Sequence, residues 1–196
     1  MDYNESKEKS EYSEPIAVKG SVKEVNKEKK GNFFFEWVIP IAIALVLALL
    51  IKQFLIFKVY IPSGSMIPTL NEGDQLFVTR VYNLDNLKRG DILVFDSDEL
   101  NDVLIKRLIG LPGDKIKIVK GTVYVNGEKL EEDYVKNSDD ISGEFEVPEG
   151  KYFFLGDNRA ISYDARRWKN PYIDGSDIKA KAQIRVYPFS DFGFVR

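Results

Sequence analysis

The pattern of hydrophobic and polar positions divides the chain into three parts. Residues 1–32 are polar, with many Lys, Glu and Ser and only scattered apolar side chains. Such a segment buries too little apolar surface to offset the entropy lost on ordering, which predicts a disordered tail. Residues 33–57 are almost continuously apolar, whereas short β-type runs alternate with turn signals over residues 58–196. The pattern thus predicts a tail, one apolar helix and a strand-rich domain.

The apolar run of residues 33–57 is interrupted only by Glu36, Lys52 and Gln53. A membrane helix needs roughly 17–25 predominantly apolar residues, so the run is long enough if Lys52 extends its amine to the membrane interface. A cleaved signal peptide has a similar apolar core and basic flank. However, no small-residue cleavage site follows the core, and the polar tail before it is long for a signal peptide. We therefore interpret residues 33–57 as a single retained transmembrane anchor.

Basic residues give the expected orientation of this anchor. Lys27, Lys29 and Lys30 lie directly before the apolar run, although Lys52 and Lys58 on the other side reduce the bias. Basic residues beside a membrane helix favour the cytoplasmic side. The sequence therefore predicts a single-pass cell-membrane protein with a cytoplasmic tail and an extracellular domain from residue 58 onward.

Short runs with β propensity fill the part after the anchor, without any sustained helical period. They lie at residues 75–79, 91–95, 103–109, 115–119, 122–125 and 152–155. Turn signals such as Asn126-Gly127 separate them. We expect a mostly β domain over residues 58–196, with a polar excursion at about residues 131–143.

Composition excludes several classes of protein. With 30% charged residues and a net charge of -3, the chain has no strong basic field, so no nucleic-acid partner is expected. It has no cysteine and no histidine, which excludes thiolate nucleophiles and a Ser-His-Asp triad. Acidic groups at residues 96–99 and 139–140 lack the spacing of a calcium loop and are interpreted as solvated turns. We expect no metal and no cofactor. Any nucleophilic serine must therefore use a lysine, carboxylate or tyrosine base.

Two serines stand close together just after the anchor, in residues 61–70. Ser63 and Ser65 flank Gly64, and Pro62 and Pro68 bracket the group. Proline fixes φ and removes a donor, so the segment is neither an ordinary helix nor a central strand. It is compatible with a simple linker leaving the membrane helix or with a loop that carries a nucleophile.

Lys106 has an unusual setting in the run of residues 103–109. Strand alternation places it on the same face as Leu104 and Leu108. Its ammonium therefore either extends to water or is partly desolvated, and desolvation lowers the pKa of lysine. A lysine that acts as a base near neutral pH needs a pKa roughly 2–3 units below its reference near 10.4. Lys106 is the best candidate in this chain.

A third cluster of polar residues, 156–168, directly follows the aromatic run of residues 152–155. Its small polar, Asp and Arg side chains suit a loop held by internal hydrogen bonds and ion pairs. An ordinary surface turn is the alternative interpretation.

Taken together, the three segments resemble the type I signal peptidases of bacteria, which are membrane-bound enzymes with a serine/lysine dyad. The matching positions are residues 62–70, residues 105–114, and residues 156–159 with Ser162, Asp164 and Arg166. The resemblance covers essentially the whole chain after the tail. It implies a signal-peptidase-like β catalytic domain whose apolar surface meets membrane lipid. It also implies signal peptides of secreted preproteins as substrates, with small residues at positions -3 and -1.

The resemblance also assigns roles within the site. Ser65 corresponds to the nucleophile and Lys106 to its general base, while the Ser65 backbone N–H and the Ser63 hydroxyl would form the oxyanion hole. Ser162 would hydrogen-bond the Lys106 amine, and Asp164 and Arg166 would brace the site as an ion pair. Two other functions remain open on sequence alone: a specialised relative with a narrow secretion or conjugation substrate set, and a non-catalytic anchored β-domain that binds a partner.

Overall fold

The computed structural model describes residues 34–195 of the chain. The tail predicted for residues 1–32 lies outside the described residues. The chain divides into two compact units, Met1–Ile41 and Ala42–Arg196. The described part of the first unit consists of the π-helical turn Phe34–Val38 and the first residues of helix α1. The second unit contains the rest of α1 and all the strands given below.

Helix α1 runs from Ile39 to Phe54 and contains only apolar residues up to Ile51. Together with the preceding turn it forms the span Phe35–Lys52, which has a mean hydropathy of 2.2 and contains no buried residue. Within residues 34–195, this is the one helix that is long and apolar enough to cross a membrane. The predicted apolar segment extended to residue 57, but the helix ends at Phe54 and a strand begins at Ile56.

Twelve strands follow over the described residues. They are β1 (Ile56–Tyr60), β2 (Gln75–Arg80), β3 (Ile92–Ser97), β4 (Asp102–Gly110), β5 (Lys115–Val119), β6 (Thr122–Val125), β7 (Glu128–Lys129), β8 (Gly143–Glu146), β9 (Lys151–Leu155), β10 (Tyr172–Asp174), β11 (Ile178–Tyr187) and β12 (Gly193–Phe194). Four short 3-10 helices are Gly64–Met66, Leu84–Asn86, Gly175–Asp177 and Phe189–Asp191. Each of the six runs predicted from β propensity is a strand, so the mostly β fold is confirmed.

The strands form two antiparallel sheets. The larger sheet has the order β1-β2-β11-β3-β4-β9-β10, with β12 paired to β11, and the smaller has the order β7-β6-β5-β8. Strand β4 therefore lies inside the larger sheet, between β3 and β9, which buries its C-terminal half. The turn predicted at Asn126-Gly127 joins β6 to β7, with φ of 52° and 90° at these two residues. Asn and Gly tolerate this left-handed geometry better than other residues, which explains their choice here.

Two clusters of buried apolar residues stabilise the domain. One joins strands of both sheets and includes Phe95, Leu108 and Phe153. The other lies beneath residues 61–70 and is built from Ile61, Met66, Leu70, Leu76, Val78, Ile92, Val94, Ala180 and Ala182. Burying a side chain the size of Val, Leu, Ile or Met contributes about 1.5–3 kcal/mol relative to leaving it in water. The second cluster therefore fixes the segment that carries the two serines to the larger sheet.

Candidate active site

Ser65 lies in the short 3-10 helix Gly64–Met66, after β1. The next side chain, Met66, is fully buried, as is Leu70. These buried side chains attach the turn to the apolar cluster, while Ser65 itself remains partly accessible. The exposed Ser63 places its Oγ 3.4 Å from the Ser65 Oγ. The segment is therefore a rigid turn that presents two hydroxyls, and it is not a simple linker.

Lys106 points from β4 to the same turn. Its Nζ donates a hydrogen bond of 2.6 Å to the Ser65 Oγ, and the residue is only 4% exposed. Burial lowers the pKa of Lys106 from its ordinary value of 10.5 to about 8, against the opposing effect of Asp164 and Asp157, which favour the charged form. A substantial fraction of the amine is therefore neutral at mildly alkaline pH. Of the two settings that the sequence left open for Lys106, the structure has the desolvated one.

Residues 156–168, which we call the catalytic loop, pack directly against the Ser65 turn. The Asn158 backbone N–H donates to the Ser65 carbonyl and the Asn158 Nδ2 to the Gly64 carbonyl, each at 3.0 Å. A Cβ atom added to Gly156 would overlap the Ser65 carbonyl oxygen and the Ser162 Oγ. Gly156 is thus required by the close approach of the two backbones, and Asn158 fixes two carbonyls of the Ser65 turn. Sequence reasoning did not single out either residue.

An apolar groove of about 250 Å³ is formed by residues at the end of β1 and by residues of β3 and β4. It is lined by Val59, Tyr60, Ile61, Pro62, Val94, Val103, Leu104 and Ile105. Its lining thus includes the residues that lead into the Ser63–Ser65 turn and the residue directly before Lys106. A larger depression of about 560 Å³ lies on the smaller sheet and is lined by Lys115, Lys117, Glu144 and neighbouring residues. The groove is the better candidate for substrate, because its lining residues directly precede the Ser63–Ser65 turn and Lys106 in the chain.

Comparisons with known proteins identify the family. The family model described as signal peptidase, peptidase S26, matches residues 34–187. A signal peptidase I from Bacillus licheniformis is 42% identical over an aligned length of 181 residues, and the match covers 86% of this chain and 96% of the relative. A signal peptidase IB from Staphylococcus aureus (strain COL) is 38% identical over 177 residues, covering 80% and 91% of the two chains. The chain belongs to the signal peptidase family, peptidase S26. It is a type I signal peptidase, a serine peptidase of the kind that cleaves signal peptides from preproteins.

A crystal structure of a signal peptidase I from Enterococcus faecalis V583 is also similar to this chain. The two share 32% sequence identity with a TM-score of 0.45, and the match covers 50% of this chain and 98% of the other.

In this signal peptidase, two buried ion pairs support the catalytic loop. The Arg166 Nε and Nη2 donate to the two carboxylate oxygens of Asp164, each at 2.8 Å, and the Asp164 Oδ2 accepts the Gly156 N–H at 3.0 Å. Arg107 similarly donates to both oxygens of Asp157, at 2.8 and 2.6 Å. Bidentate pairs of this kind fix geometry as well as charge. The structure thus brings together Asp164 and Arg166, as the sequence predicted, and adds a second pair that the sequence analysis did not identify.

Ser162 does not make the contact that the family resemblance implies. Its Oγ is buried but has no hydrogen-bond partner within residues 34–195, so the expected bond to the Lys106 amine is absent. The hydroxyl lies against Gly156 instead, at the point where an added Cβ would overlap it. Lys106 directs its hydrogen bond to Ser65. Ser162 is therefore close to the loop backbone without orienting the lysine in this conformation.

The described residues contain no group of three or more His, Cys, Asp or Glu side chains that could hold a metal ion.

Proposed function

We propose that this signal peptidase is a membrane-anchored enzyme that uses Ser65 as nucleophile and Lys106 as general base. The observation that carries the proposal is the 2.6 Å hydrogen bond between the Lys106 Nζ and the Ser65 Oγ, with the amine buried. This is the nucleophile–base contact that serine catalysis requires. The pKa of about 8 gives the lysine the neutral fraction that a base needs.

The proposed reaction proceeds through an acyl-enzyme. Neutral Lys106 accepts the proton of the Ser65 hydroxyl as its oxygen attacks the scissile carbonyl. The Ser65 backbone N–H and the Ser63 hydroxyl then donate to the developing oxyanion, and one well-placed donor contributes roughly 3–4 kcal/mol. The leaving amine takes a proton from Lys106, and water later cleaves the ester by the same base. The Asp164–Arg166 pair braces the loop, and Ser162 closes it against Gly156.

The apolar groove supports a signal peptide bound in an extended conformation. Its walls come from β1, which is an edge strand of the larger sheet, and from β3 and β4. An edge strand offers unpaired backbone groups to an extended peptide, while alternate side chains of that peptide enter the groove. A groove of about 250 Å³ is consistent with the small residues at positions -3 and -1 that the family resemblance implies.

The exposed apolar span Phe35–Lys52 supports a single anchor. The lysines directly before the apolar run, Lys27, Lys29 and Lys30, support a cytoplasmic N-terminus and an extracellular catalytic domain. A second apolar feature, which we call the aromatic surface, consists of Tyr187, Phe189, Phe192 and Phe194, exposed by 48–82%. Exposed aromatic groups of this kind are suited to the membrane interface. Anchor and aromatic surface together would hold enzyme and preprotein in one membrane plane, which raises their effective concentration.

The test compares the detergent-solubilised full chain with Ser65→Ala and Lys106→Ala on a fluorogenic signal-peptide substrate. We expect each variant to lose at least about 1,000-fold in kcat, because the two side chains act as one unit. Matched controls are Ser176→Ala and Lys115→Ala, which remove an exposed serine and an exposed lysine. Full activity in either Ser65→Ala or Lys106→Ala would refute the dyad. Protease protection of the full chain in sealed vesicles would test the orientation.

A further inference from the structure

Residues 131–142, between β7 and β8, lie over the catalytic loop, and we call them the strap. The sequence predicted a polar excursion here and interpreted Asp139 as part of a solvated turn. That interpretation of Asp139 is wrong, because its side chain is only 11% exposed and is paired with a buried arginine. Glu132, near the other end of the strap, is only 10% exposed. Two strap carboxylates thus point inward.

Glu132 binds Arg159 of the catalytic loop through both carboxylate oxygens. Arg159 donates from Nη1 at 3.2 Å and from Nη2 at 2.5 Å, and its side chain is only 1% exposed. The Arg159 Nε donates to the Gly156 carbonyl at 3.0 Å. Tyr134 reinforces this contact, since its hydroxyl donates to Glu132 at 2.8 Å and the Arg107 guanidinium lies 3.8 Å from the centre of its ring.

Asp139 binds the second buried arginine. Its Oδ2 accepts from the Arg166 Nη1 at 2.5 Å, and Arg166 in turn holds both oxygens of Asp164. Asp164 accepts the Gly156 N–H. Both strap carboxylates are therefore linked to Gly156. Glu132 is linked through Arg159, which donates to the Gly156 carbonyl. Asp139 is linked through Arg166 to Asp164, which accepts the Gly156 N–H.

Charge compensation explains why the catalytic loop needs the strap. Arg107, Arg159 and Arg166 are buried here, whereas the loop itself supplies only the carboxylates of Asp157 and Asp164 at these contacts. Burying an ion without compensation costs several kcal/mol, and removing one partner of a buried pair leaves the other uncompensated. The strap supplies the missing negative charge at the positions where the arginines face it.

We propose that Glu132 and Asp139 are positioning residues of the active site, which fix the Gly156 backbone against the Ser65 turn through Arg159 and Arg166. A Cβ added to Gly156 would overlap the Ser65 carbonyl oxygen, so the Gly156 backbone packs directly against the Ser65 turn. A shift of its peptide groups would therefore move Ser65 as well. The inference rests on the proposed Ser65–Lys106 dyad. A purely stabilising strap would change the folded fraction but not the reactivity of the folded molecules.

The test uses Glu132→Gln and Asp139→Asn, which keep side-chain size and remove one charge each. We would measure the single-turnover rate constant of peptide cleavage with the full-length enzyme in saturating excess, because this constant reports only competent molecules. We expect it to fall about 10-fold or more in each variant, since small displacements of reacting groups are costly. Asp139→Glu retains the carboxylate and should recover most of the rate. The control Glu144→Gln breaks the exposed Lys117–Glu144 pair and should leave the rate unchanged.

Rate constants within two-fold of the wild-type value in both neutral variants would overturn the inference, whatever happens to their melting temperatures. If neither variant folds, Tyr134→Phe decides, because it removes only the hydroxyl that donates to Glu132. A two- to five-fold lower rate is then expected, and an unchanged rate overturns the proposal. Activity of Ser65→Ala would instead refute the dyad itself, so the two failures are distinguishable.

Discussion

The burial of Lys106 predicts a measurable, pH-dependent cost in stability. Its pKa falls from 10.5 to about 8 in the folded protein, mainly because burial disfavours the charged amine. A pKa difference of this size corresponds to about 3 kcal/mol. Below pH 8 the amine is protonated in both states, so the folded state carries the full cost. Between pH 8 and 10.5 the unfolded state binds more protons than the folded state, so stability rises with pH, and above 10.5 the cost is gone.

Lys106→Met isolates this effect, because methionine fills a similar space without a charge. We expect the free energy of unfolding of the wild type, measured relative to Lys106→Met, to increase by most of about 3 kcal/mol between pH 7 and pH 10.5. The variant also loses the hydrogen bond to Ser65. This loss changes the difference in free energy of unfolding between the two proteins, but not the way that this difference varies with pH. Urea unfolding in detergent, followed by the fluorescence of the buried Trp168, would measure both proteins at each pH. A difference that stays constant across this range would refute the burial argument.

Three further outcomes follow from the site geometry. The kcat/KM profile should rise with an apparent pKa of about 8, that of Lys106, and a rise only near pH 10.5 would contradict the buried base. Gly156→Ala should lower kcat/KM at least about 100-fold, because its Cβ overlaps the Ser65 carbonyl. The control Gly193→Ala should leave kcat/KM unchanged, because an added Cβ there meets open space. Asn158→Ala should lower kcat about 10-fold or more, because it removes the hydrogen bond from Asn158 Nδ2 to the Gly64 carbonyl. Activity equal to that of the exposed control Asn170→Ala would show that this hydrogen bond is dispensable.

The sequence predicted the strands well where alternation is strong, because a strand places successive side chains on opposite faces. It missed β11, the ten-residue strand at the centre of the larger sheet. The buried positions there include Ala180 and Ala182, which alternate with Lys179 and Lys181. Small buried side chains give a weak hydrophobic signal, so the pattern looks polar. The apolar run up to residue 57 was equally ambiguous, since a helix and the strand that follows it are both apolar there.

Residue types were enough to propose a serine and a lysine for the site, whereas the assembly of the site could not be predicted. The absence of histidine and the apolar neighbours of Lys106 indicated a lysine base from composition and local pattern alone. Its contact with Ser65 joins positions 41 residues apart and depends on the pairing of β4 with β3 and β9. Asn158 acts through a backbone N–H and an amide on two carbonyls, and no local pattern signals such a contact.

Asp139 and Asp140 show most clearly where sequence reasoning ends. The two residues are identical in chemistry and adjacent in the chain, yet Asp140 is exposed while Asp139 pairs with Arg166. Their local sequence is that of a solvated turn, and only the position of the strap over the catalytic loop separates them. The same holds for the loop, because Arg107 of β4 joins the loop's own Arg159 and Arg166, and these three buried arginines exceed the two acids, Asp157 and Asp164, that the loop offers them. The electrostatic balance of this active site is thus a property of two segments together, and neither segment reveals it alone.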